Sequence, residues 1–97
     1  MAVLNFVQDG NRWTSNVFSP TASNIEICVR FKNPGGGHVG VLRSIDGVEF
    51  TPFESGTVGN LGRKTKMLIF NVSGIVAGCY LKVLSTAEPD SGCEWRE

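Results

Sequence analysis

The chain has 97 residues, and its 9 basic and 9 acidic side chains cancel to give a pI near 6.6. A chain of this size forms one domain around one core, burying roughly 60 to 70 per cent of its extended surface. The balance of charge leaves no Lys/Arg stripe for a nucleic-acid duplex, and no apolar run nears the roughly 20 residues that span a bilayer, so neither nucleic acid nor membrane is an expected partner.

The start, Met1-Ala2-Val3-Leu4-Asn5, lacks the basic and long apolar regions of a secretory leader, so the product is expected to stay in the compartment where it is made. Three cysteines, Cys28, Cys79 and Cys93, cannot close into a complete disulfide set, and free thiols are expected. A hairpin joining the strands that begin at Cys79 and Cys93 would set Cys93 beside Ser85 or Leu84 and leave Cys79 at the far end. With His38 as the one histidine and no Cys-x-x-Cys pair, no metal or other cofactor is expected.

In chain order, Met1 to Gln8 reads as a short strand and Asp9-Gly10 as a turn. Arg12 to Phe18 alternates loosely and carries aromatic residues on both faces, Trp13 on one and Phe18 on the other, which marks Trp13 as a candidate interface residue. Ile25, Ile27, Val29 and Phe31 alternate with Glu26, Cys28, Arg30 and Lys32, the pattern of a half-buried strand. Cys28 falls on the polar face and is read as packed under a neighbouring side chain or subunit. Pro34-Gly35-Gly36-Gly37 then reads as a hairpin connection, since neither a following helix nor the Lys-Ser/Thr of a phosphate loop accompanies it. Gly62-Arg63-Lys64-Thr65 fails the same test.

His38 to Ser44 forms the next strand, with Val39 and Val41 on one face and Gly40 marking a bulge or the close approach of another chain. Asp46-Gly47 suits a tight primed turn into a strand at Val48 to Phe53, and Phe50 is expected to fold back over aliphatic neighbours. Glu54 to Lys66 reads as a glycine-studded polar connection. Met67-Leu68-Ile69-Phe70 reads as a strand covered on both faces, Tyr80 to Ser85 as a near-central strand, and Cys93 to Glu97 as a last strand whose Trp95 must be docked.

No stretch shows helical periodicity. About eight short strands fit an all-β, antiparallel, two-layer sandwich of jelly-roll-like type. No acid/base pair or nucleophile motif is present, so an enzyme is not expected.

The stretch Gly37-His38-Val39-Gly40-Val41-Leu42-Arg43-Ser44-Ile45-Asp46-Gly47-Val48-Glu49-Phe50, with Gly78-Cys79-Tyr80-Leu81-Lys82-Val83-Leu84-Ser85, resembles small β-sandwich modules of tailed-bacteriophage virions. The resemblance covers Ile25 to Ser85. Those modules more often carry Trp where Phe50 stands, and the three-glycine loop and Pro52 depart from their pattern. The resemblance implies a non-enzymatic virion protein, a head decoration or tail component made in the host cytoplasm. It also implies partners among other virion proteins and a homo-oligomer, with a trimer favoured. Trp13, Cys28 and Trp95 are the candidate interface residues. The alternative expectation is a carbohydrate-binding module stacking sugars on Trp13, Tyr80 or Trp95.

Overall fold

The computed structural model describes residues 2–33, 37–61 and 65–97, with side chains described outside 54–64. Among them lie nine strands and no helix: β1 (Ala2–Val3), β2 (Phe6–Asp9), β3 (Arg12–Ser15), β4 (Ile25–Arg30), β5 (Gly37–Ser44), β6 (Thr51–Leu61), β7 (Met67–Val72), β8 (Tyr80–Ser85) and β9 (Glu94–Arg96). They form one sheet in the order β1-β9-β4-β7 and another in the order β2-β3-β8-β5-β6, with every pairing antiparallel.

The pairings have a simple logic. β5 pairs with β6, β4 with β7, β3 with β8 and β1 with β9. The chain is thus one long antiparallel ribbon, doubled back at the β5–β6 loop and wrapped into two layers, which is the jelly roll. Wrapping adds the contacts β4–β9 and β5–β8, and β2 extends the second sheet by a hairpin with β3. That hairpin turns at Gly10-Asn11; Gly10 has φ +66° and Asn11 does not share it, as in a II′ turn.

The core fills the space between the sheets. Ile25, Ile27 and Val29 of β4, with Phe31 beyond it, supply one wall; Val39 and Val41 of β5 and Leu81 and Val83 of β8 supply the other. Period-two alternation places each set on one face, and burying each such side chain contributes about 1.5–3 kcal/mol.

Several expectations are corrected. The single strand expected over Met1 to Gln8 is two strands among its described residues, β1 and β2, broken at Leu4-Asn5, because Leu4 turns into the core while its N–H binds the Cys93 carbonyl at 2.9 Å. The glycine loop does not close a hairpin: β4 and β5 lie in different sheets, so this connection passes between layers. Its Pro34, Gly35 and Gly36 lie outside the described residues, as do Gly62, Arg63 and Lys64. Much of the expected polar connection after Phe53 is strand, β6. Opposite Gly40, β6 passes from Phe53 to Val58 while β5 advances from Val41 to Val39, so the expected irregularity at Gly40 is present. Cys93 does not lie beside Ser85, since β8 and β9 are in different sheets; its Sγ instead accepts the Arg30 N–H at 3.2 Å.

Candidate functional site

Two surfaces gather chemistry. The first is the apex of the ribbon, where β5 turns into β6. The expected two-residue primed turn is replaced by a six-residue loop, 45–50, because a side chain competes for the turn's backbone. The Ser44 hydroxyl accepts the N–H groups of Asp46 at 3.2 Å and Gly47 at 2.9 Å, and donates to Asp46 Oδ1 at 2.7 Å. Asp46 Oδ1 in turn accepts the N–H groups of Val48 at 2.9 Å and Glu49 at 3.1 Å. A primed turn of type I′ would need positive φ at Asp46 as well, yet only Gly47 has it, at +79°. A β-carbon on Gly47 would sit 3.5 Å from the Tyr80 ring, so the loop lies against the outer face of β8.

Phe50 is half-buried on that outer face, with Lys82 Nζ 4.3 Å from its ring centroid in a cation–π contact.

The hydrogen bonds from Val48 N–H, Ser44 Oγ and Glu49 N–H hold the Asp46 carboxyl well below the usual range, at about 2. A carboxylate that stays ionised to that pH has neither the proton nor the basicity for acid–base work near neutrality. Burial pushes the Cys93 thiol up, away from nucleophilic thiolate. The Thr21 hydroxyl, with the N–H groups of Ala22 and Thr21, pulls the Glu97 carboxyl down and ties the last residue to the loop before β4. No cluster of three metal-ligating side chains occurs among the described residues.

Beside the loop, a cleft of about 700 Å³ opens between Ser44, Ile45, Asp46 and Glu49 on one side and residues 74–79 on the other, with Phe53 and Ile75 buried in its walls. Arg43 lies over the Phe53 ring, 4.8 Å from its centroid. Ile45 (93% exposed) and Val76 (70%) line this cleft, and Val48 (80%) is exposed in the same loop as Ile45. Isolated exposed aliphatics are ordinary, but Ile45 and Val76 face one cleft and so form a patch.

The second surface is the outer face of the four-stranded sheet. Cys28 pairs with Ile69 of β7 and with Glu94 of β9, and the three share that face with Glu26, Arg30, Met67 and Arg96 around a hollow of about 180 Å³. Arg96 Nε donates to Glu26 Oε1 at 2.8 Å. The run Met67-Leu68-Ile69-Phe70 is therefore not covered on both faces. Leu68 and Phe70 lean on the core, while Met67 (45%) and Ile69 (53%) alternate onto the outer face of the sheet.

Of the sequence-derived interface residues, Cys28 lies on this face and Trp95 borders the hollow. Trp95 pairs with Ile27 and so points inward, where it stacks on Phe18 at 4.8 Å between centroids; it is occupied inside the chain. Trp13 is half-buried opposite Ser85, on the inner side of the other sheet. Trp13 and Trp95 thus turn toward the space between the sheets, and Tyr80 lies on the outer face of β8. Ile25, Ile27, Val29 and Phe31 are core, and Asp46 and Gly47 shape the apex. The surface residues Ile45, Val48, Val76, Met67 and Ile69 were not singled out from sequence. Ile45 and Val48 flanking a turn dipeptide are the one signal that pointed to them.

The fold and these surfaces define a jelly-roll sandwich with an apolar apex and an apolar sheet edge. No protein-family model matches the chain, and no curated protein or solved structure does either.

Proposed function

We propose that this chain is a non-enzymatic structural protein of a phage-like virion, a capsid decoration or tail component that works by assembling with copies of itself and with other virion proteins. The observation that carries the reading is the apolar apex: Ile45 and Val76, each at least 70% exposed, line a cleft at one end of the sandwich, and Val48, 80% exposed, lies in the same loop as Ile45. Leaving such a patch in water forfeits about 1.5–3 kcal/mol per aliphatic side chain that a subunit contact would recover. Zero net charge favours the same outcome, since copies do not repel one another. The jelly roll is a frequent architecture of capsid domains, an analogy that raises the reading without deciding it.

Light scattering on purified protein at micromolar concentration tests it. A stable oligomer is expected, three copies being the order the resemblance favours, and Ile45→Asp with Val76→Asp should weaken binding to the particle. A protein that stays monomeric and does not join a particle overturns the reading.

A further inference from the structure

The edge strand β7 carries a feature that the apex does not. Its six residues, Met67 to Val72, contain no charge and no proline, and its six-rung register with β4 runs without a bulge. Natural edges are usually blunted by one of these devices, since a free row of backbone N–H and C=O groups invites another strand. Among the described residues, β7 pairs with β4 alone.

The direction of its backbone groups follows from hydrogen bonds on either side of β4. The Phe31 N–H donates to the Lys66 carbonyl at 2.8 Å, toward β7, whereas the Arg30 N–H points the other way, to Cys93 Sγ. Antiparallel ladders alternate residue by residue. Hence Leu68, Phe70 and Val72 turn their backbone groups toward β4, and Met67, Ile69 and Asn71 turn theirs toward the open edge.

We infer that β7 pairs antiparallel with β7 of a second copy about a two-fold axis at Ile69, joining two four-stranded sheets into one continuous sheet. The inference rests on the self-assembly reading above and replaces its three-copy expectation with two. Four features select a second copy. With Ile69 opposite the partner's Ile69, Met67 falls opposite the partner's Asn71, so all three outward-turned residues meet outward-turned residues, giving about six hydrogen bonds at two per residue. On the inner face Leu68 falls opposite the partner's Phe70, and these half-buried side chains cover each other's open flank. On the outer face the central row is Cys28, Ile69, the partner's Ile69 and the partner's Cys28, free of charge. The basic end, with Arg30 beside Met67, lies against the partner's end that carries Glu26 beside Asn71, so the antiparallel arrangement keeps like charges apart.

Hydrogen exchange of the full chain across a dilution series, read with sedimentation, tests the inference. At high concentration the chain should sediment as a dimer and the amides of Met67, Ile69 and Asn71 should be protected. On dilution their protection should fall while those of Leu68 and Phe70 hold. Ile69→Lys sets two ammonium groups across the axis and should weaken the dimer by about tenfold or more, with an unchanged circular dichroism spectrum. In a Cys28→Ser background, Ile69→Cys should form an interchain disulfide on mild oxidation, because hydrogen-bonded partners stand about 5.5 Å apart at Cα, within bridging range. A trimer whose Met67, Ile69 and Asn71 amides exchange freely overturns this pairing and leaves the assembly reading intact. A monomer at every concentration overturns both.

Discussion

Removing the Ser15 hydroxyl tests how the ribbon is held where β3 leaves its sheet. β3 meets β8 at Trp13–Ser85 and Thr14–Leu84, so the next rung would join Ser15 to Val83. At that rung a side chain replaces the ladder: Ser15 Oγ accepts the Val83 N–H at 2.8 Å and donates to the Asn16 carbonyl at 2.9 Å. Val83 is fully buried and Ser15 nearly so, so water cannot take over. Ser15→Ala leaves an amide buried without its acceptor, a loss of about 1–3 kcal/mol. For a domain of this size each kcal/mol lowers Tm by about 4–8 °C. Urea unfolding at fixed protein concentration, which holds any oligomer contribution constant, should show a lower midpoint with the same slope. The Val83 amide should also exchange faster than its neighbours. A stability change below about 0.5 kcal/mol, the range of ordinary surface substitutions, with unaltered exchange at Val83, would refute the reasoning.

Ile27→Ala empties a fully buried position between the sheets and should cost about 2–5 kcal/mol by denaturant unfolding, against about 0.5–1.5 for Ile27→Val. Gly47→Ala forces a β-carbon into φ +79° against the Tyr80 ring and should cost about 1–2 kcal/mol, whereas Gly47→Asn, which tolerates this backbone region better, should cost less; thermal melts of the pair decide it. The Asp46 carboxyl is held down to about 2 in the folded loop, so its contribution is complete above the unfolded value near 4 and is lost as pH falls toward 2. An acid titration of stability should therefore fall across that window and be flatter in Asp46→Asn. With a thiol reagent, Cys28 and Cys79 should react in the native state, and Cys93, buried and with its thiol pushed up, only on unfolding; mass spectrometry of the labelled peptides reads the order.

The parts of this architecture that were legible in the sequence are those that local chemistry decides. Ile25, Ile27, Val29 and Phe31 alternate with polar residues, and a period of two can put them on one face only, so the core wall was visible before any partner was known. The apex was half visible. Asp46-Gly47 announces a reversal, but the hydroxyl of Ser44, two residues before Asp46, decides between a tight turn and a hydrogen-bonded six-residue loop. Pairing between distant segments was not visible. A four-residue glycine connection serves a hairpin or a crossing between sheets equally well, and only the wrapping of the whole ribbon sends β4 and β5 to different layers. The same wrapping decides what is an edge. Met67-Leu68-Ile69-Phe70 has the composition of a central strand, yet β7 ends its sheet because β4, its partner in the ribbon, has its other side taken by β9. Whether an apolar strand is core or contact surface is thus a property of the pairing order and not of the strand. If the chain works by assembly, as proposed, the edge and the apex would be its contact surfaces. They are also the places where local sequence carries least information, since a segment that seeks a partner subunit has the same composition as one that seeks the core.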